Sequence, residues 1–281
     1  MSEIPTKLTA NIGKTLETVP EIYEDGLKPT IQESGKTLAL IPRTVNAVLA
    51  PLRQWIAQRE YSVAETEKLL AQKLENINPE SIVTPEAYVA VPAFQSISYC
   101  INNKELYDLY ANLLAKAMIA DTKNEVHPAF VDIIKQLSPN DALVLKEVFN
   151  SNPAIEAATI ALLLKPKGVH IVGSPRPVRY CNEAVYNIQC ATLSEEQISI
   201  SINNLERLGI ISFNSEYYPS EKNFEFVKNT SLYLEFQKLF DDLKETEEKP
   251  ERIEINKKSF SLTPLGTLFC KICVLGIEEG A

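Results

Sequence analysis

The chain has 281 residues, a hydrophobic content of 45% and a formal net charge of −9. That length suits one large or two ordinary domains with a substantial core. Up to Leu137 it carries 13 basic against 17 acidic side chains, and beyond it 15 against 20, which excludes nucleic-acid binding driven by bulk positive charge.

The longest apolar-rich stretch, "TLALIPRTVNAVLAPL", is interrupted by Arg43, Asn46 and two prolines, too short and too polar to span a bilayer as a helix. No basic segment followed by an apolar block opens the sequence, so a cytoplasmic location is expected, with the inner membrane face as a peripheral alternative. Five cysteines, an odd number, are expected to be reduced there. A zinc site would need Cys181, Cys190, Cys270 and Cys273. Eight residues separate the first two, and "LFCKICVLG" has the composition of an apolar helix. The expectation is buried thiols, no metal and no cofactor.

The first feature along the chain is a repeat. Gly13-Lys14-Thr15-Leu16, Val19, Pro20, Leu27 and Pro29 recur 22 residues later as Gly35-Lys36-Thr37-Leu38, Ile41, Pro42, Leu49 and Pro51. Gly-Lys-Thr ends a phosphate-binding loop, but that loop needs a glycine five positions earlier, where Leu8 and Thr30 stand. A 22-residue period is close to six helical turns and keeps one face aligned. Leu38, Ile41, Val45, Leu49 and Leu52 make an apolar stripe in the second copy. Two readings follow: a core stripe, or an amphipathic helix meeting a membrane or a partner. The interaction reading names Leu38, Ile41, Val45 and Leu49, with Lys36, Arg43 and Arg53 attracting anionic lipid.

The rest of the first 137 residues reads as helical. "SVAETEKLLAQKLENI" offers Ser62 as a cap with Glu65 three residues on. "TPEAYVAVPAFQSISYCI" offers Thr84 and Pro85 as its start. "NNKELYDLYANLLAKAMIA" aligns Leu106, Tyr110, Leu113, Ala117 and Ala120 and reads as the central buried helix. In "HPAFVDIIKQL", His127 stands where a cap belongs and is expected to be structural rather than catalytic.

Beyond residue 137 the character changes. Ser138, Pro139 and Asp141 announce a helix, and Ser194 with Gln197 announces another that ends at Gly209. Lys165, Lys167, Arg176 and Arg179 fall in one proline-rich loop. A further helix is expected near "TSLYLEFQKLF", then an exposed loop at "DDLKETEEKPER". Alternation of Ile253, Ile255 and Phe260 predicts a strand, followed by a helix capped by Thr263. No paired carboxylates, Cys/His pair or Ser/His/Asp set stands out, so an enzyme is not expected.

The run "NNLERLGII", a β segment and "SFSLTPLGTLF" resembles a winged-helix domain with an insertion in the wing, at about 214–256. With the helical reading of the first part, the fold expected is mainly α with a small β component: a helical domain at 1–137 carrying the repeat at 13–51, then, as the resemblance implies, a winged-helix-like α+β domain at 138–281. As a DNA-binding regulator it would use Arg176, Arg179, Asn203, Asn204 and Arg207, although Glu195, Glu196 and Glu206 crowd the same helix. More broadly, "IYEDGLKPTIQESGKTLALIPRTVNAVLAPL", "EKLLAQKLENINPESIVTPEAYVAVPAFQSI", "ELYDLYANLLAKAM" and "HPAFVDIIKQLSPNDA" resemble the Abi-alpha family, named for abortive infection, the suicidal bacterial defence against phage. The resemblance implies a phage-defence protein without established catalytic residues. A protein partner is expected, membrane-surface contact and homo-oligomers are left open, and nucleic acid is not expected.

Overall fold

The computed structural model describes residues 37–50, 60–100, 102–151, 154–164, 178–214, 221–245 and 250–277, with the backbone alone at 37–40, 60–63, 178–183 and 221–222. The first copy of the repeat and Lys36, Arg53 and Arg176 lie outside the described residues. The chain is mainly α with a small antiparallel sheet and divides into two compact units, Met1–Lys135 with Leu275–Ala281, and Gln136–Val274.

In the first unit α1 (Thr37–Leu49) contains Pro42. It buries Ile41, Val45, Val48 and Leu49 and packs on α2 (Glu60–Lys73), where Leu70, like Leu74 in the turn that follows, is sealed from solvent. Spacings of three and four residues put these side chains on one face, and their burial favours the packed helix. α2 begins at Glu60, which places the expected cap Ser62 inside the helix. α3 (Ala87–Ile97) starts two residues later than Pro85 would set it, and Glu86 at its N-cap makes no side-chain cap bond. Glu86 instead pairs with Lys123 at 2.7 Å. α4 (Lys104–Ala117) is the central helix: Leu106, Tyr110, Leu113 and Ala117 are buried.

Ala120 departs from that stripe and is exposed, because α4 stops at Ala117. The chain then pairs with 81–83, through Val83 N–H to the Met118 carbonyl at 2.8 Å and Ala120 N–H to the Ser81 carbonyl at 2.9 Å. Before α5 (Ala129–Lys135), the Nδ1 of His127 accepts the N–H of Ala129 at 3.1 Å. His127 therefore satisfies one of the helix's orphan donors, the capping role read from the sequence.

The second unit opens with α6 (Pro139–Asn150), held by a reciprocal capping box between Ser138 and Asp141. Four strands follow: β1 (Ile155–Leu164), β2 (Val178–Tyr186), β3 (Ile211–Asn214) and β4 (Pro250–Leu262). They form one antiparallel sheet in the order β2-β1-β4-β3. The two-stranded wing implied by the sequence is thus part of a larger sheet: β4 leaves β3 and continues along β1. α7 (Glu195–Arg207) has a second capping box, Ser194 with Gln197, and gives way to Gly209 at φ +70°, a backbone that costs a side-chain-bearing residue about 1–2 kcal/mol. α8 (Ser231–Lys244) and the 3-10 helix before it (Glu221–Asn229) form the insertion. α8 runs on through "DDLK", and β4 begins at Pro250, so much of the expected exposed loop is regular structure. α9 (Pro264–Phe269), capped by Thr263, passes into a π turn at Cys270–Val274.

The corner between α7 and α9 is tightly built. Thr263 donates its hydroxyl to the Gly209 carbonyl at 2.6 Å and its N–H to the Ile210 carbonyl at 2.9 Å. A Cβ at Gly266 would sit 1.9 Å from the Ile210 carbonyl oxygen. Only glycine lets these two backbone segments approach so closely.

Candidate functional site

Strand pairing sorts the sheet's side chains onto two faces. Ala158, Ile160 and Leu162 of β1 share a face with Val185 and pack against Phe224, Val227 and Phe236 of the insertion. The opposite face carries Ala157 and Thr159 of β1, with their partners Ala184 and Tyr186 of β2 and Lys258 of β4. α7 lies over this second face. Its Asn203 and Glu206, with Phe213 of β3, help enclose a cavity of about 270 Å³. The cavity exists because alanine and threonine stand where larger residues would fill the space beneath the helix.

Aromatic packing forms one wall. Tyr186, Phe213 and Phe260 contact one another with ring centroids 5.5 to 6.5 Å apart. Burial raises the Tyr186 phenol above its ordinary value; a hydrogen bond with Ser199 partly offsets this, and the negative charge of Glu206 adds to the rise. Tyr186 is therefore a neutral hydroxyl at physiological pH rather than a base. Asn203, Glu206 and Lys258 on the rim are exposed, and their side chains make no hydrogen bond or ion pair among the described residues. The rim therefore presents one carboxylate, one ammonium and one carboxamide to whatever enters.

Of the residues named for DNA contact, Asn203 is at this cavity and its neighbours are committed elsewhere. Asn204 donates from Nδ2 to the Gln136 carbonyl and to Asp141 Oδ2, both at 2.9 Å. Its Oδ1 accepts from Arg207 Nε at 3.0 Å and Nη2 at 2.8 Å, while Arg207 Nη1 donates to Gln136 Oε1 at 3.0 Å. This network joins the last turn of α7 to the start of α6 and engages Asn204 and Arg207 within the protein. Arg179 lies in β2 opposite Leu163, its backbone alone described.

The interaction stripe of the second repeat divides in the same way. Ile41, Val45 and Leu49 are core residues, no more than 5% exposed. Arg43 is exposed, and Leu38 is placed in the helix by its backbone alone. Contact of Ile41, Val45 and Leu49 with lipid would require α1 to leave α2. No helix among the described residues is long and apolar enough to cross a membrane.

Of the described cysteines, Cys100 and Cys190 are half-buried, which departs from the buried thiols expected. Cys270 and Cys273 are buried in the π turn; burial pushes the Cys270 thiol up to about 12 and Cys273 well above the ordinary thiol value. Such thiols are protonated and unreactive at physiological pH. Tyr186, Glu206, Lys258 and Thr159 carried no sequence signal as a group. Strand register, with α7 laid over the sheet, brings them together from positions up to 99 residues apart.

These features define a helical protein with a mixed-face antiparallel sheet whose second unit holds one small polar-rimmed cavity among those described. The chain belongs to the abortive infection alpha family, whose profile matches residues 58–273. Among solved structures, the chain is similar to an uncharacterized protein from the hydrocarbon-degrading marine bacterium Alcanivorax borkumensis SK2, at 15% identity and a TM-score of 0.30, over 52% of this chain and 92% of that one. No functionally curated protein matches the chain.

Proposed function

We propose that this protein is a non-enzymatic effector of abortive infection that acts from the cytoplasm through contact with another protein. The observation that carries the defence role is the family match over residues 58–273. Two features favour protein contact over the alternatives. The apolar stripe a membrane would need is spent on packing α1 against α2. The amide and guanidinium a DNA-reading helix would extend are bonded to Gln136 and Asp141.

The test is purification of the full chain from phage-infected and uninfected cells after crosslinking, with the same protein assayed on duplex DNA, RNA, nucleoside triphosphates and anionic liposomes. The expected result is one stoichiometric protein partner enriched by infection, with no turnover and no cosedimentation. Hydrolysis of any of these substrates, or liposome binding by the folded chain, would overturn the reading.

A further inference from the structure

The cavity between α7 and the alanine-bearing sheet face has the chemistry of a small-ligand site. At about 270 Å³ it falls just below the range that takes drug-sized molecules, so it suits a single ring system, with or without a sugar. Ala157, Thr159 and Ala184 make a floor without long side chains. Tyr186 and Phe213, tilted 47° to one another at 6.5 Å, supply an aromatic wall backed by the buried Phe260. Such a wall favours a planar π system.

The polar groups narrow the choice. Asn203 offers a donor and an acceptor side by side, the pairing that matches the edge of a purine. Glu206 is acceptor-only and suits an exocyclic amine. Lys258 is donor-only and suits a ring nitrogen or carbonyl oxygen. The carboxylate and the ammonium cancel, so the rim gives no net attraction to phosphate. We infer that this cavity binds an amino-bearing nucleobase or its nucleoside, of the adenine or cytosine type, without phosphate. The inference is independent of the proposed defence mechanism, since it concerns binding by the purified chain alone.

Calorimetric titration of the full chain with adenosine, cytidine, inosine, uridine and adenosine monophosphate tests it. Adenosine or cytidine is expected to bind at least about tenfold more tightly than its amine-lacking counterpart, inosine or uridine, and the monophosphate no more tightly than adenosine. Asn203→Ala, an exposed change, is expected to weaken that binding about tenfold with an unchanged melting temperature. Glu206→Gln is expected to erase the preference for the amine. Absence of binding by every nucleoside at millimolar concentration would overturn the inference. So would binding indifferent to both variants, or tighter binding of the monophosphate.

Discussion

The two faces of the second unit's sheet share one backbone and one strand order, yet they do opposite things. One face sets Ile160, Leu162 and Val185 against Phe224, Val227 and Phe236 and leaves them 5% exposed or less. The other sets Ala157, Thr159 and Ala184 beneath α7 and leaves a cavity of about 270 Å³. The difference lies in side-chain volume, since the register is common to both. Each buried methylene contributes about 0.8 kcal/mol, so the filled face carries stability and the open face gives some of it up for accessible polar groups. An insertion that seals the first face allows the second to remain open.

The comparison breaks most completely at the corner that holds α7 in place. Gly266→Ala would drive a Cβ into the Ile210 carbonyl, and since neither backbone can yield cheaply, a loss above about 3 kcal/mol or failure to fold is expected in denaturant melts. Gly209→Ala, where nothing stands within 4 Å, is expected to cost only the left-handed penalty of about 1–2 kcal/mol. Equal effects would show that the corner is not constrained as described.

The next largest difference is between the faces themselves. Ile160→Ala is expected to cost about 2–5 kcal/mol, whereas Thr159→Ala, one residue along the same strand on the half-exposed open face, is expected to cost less than about 1 kcal/mol. Urea midpoints at constant slope measure both. Asn204→Ala is expected to fall between them, at about 1–3 kcal/mol, because it removes a hydrogen bond from the buried Asp141 and two from Arg207, which keeps only Gln136.

Alkaline titration sharpens the account from the buried thiols. The folded-state values of Cys270 and Cys273 are raised, so the stability they contribute is fully present below the unfolded thiol value. It is lost as pH rises from 9.0 toward about 12. A melting temperature that falls as pH rises from 9.0 toward about 12, and falls less in Cys270→Ala/Cys273→Ala, is the expected pattern. The smallest effect belongs to His127→Asn, expected to lie within about 0.5 kcal/mol of wild type because asparagine caps the same helix. A larger loss by thermal melt would show that the His127 ring, which also packs near Phe130, contributes beyond its cap.

Local chemistry made much of this fold readable. The Ser138–Asp141 and Ser194–Gln197 boxes, the His127 and Thr263 caps and the stop at Gly209 are each written within four residues of sequence. The failures were long-range or ambiguous. "IEAATIALLL" is an apolar run without clear period, and its identity as the strand β1 rests on pairing with residues that lie about 30 and 100 positions downstream. Thr84 and Pro85 looked like a helix start, but Glu86 is held by Lys123 instead. The sequence likewise does not reveal that Gln136 and Asp141 meet Asn204 and Arg207. The cavity was invisible for the same reason: its floor and rim are assembled by register, and its defining property is the absence of large side chains.

The proposed role is defence against phage without catalysis, through contact with a protein. It is tested most directly by infecting cells that express it at excess phage while following culture density and phage yield. The account predicts collapse of the infected culture before phage release and a yield at least about tenfold lower, with the crosslinked partner appearing in the same window. Unchanged phage yield across a broad panel of phages, or protection accompanied by substrate turnover in the purified chain, would contradict it.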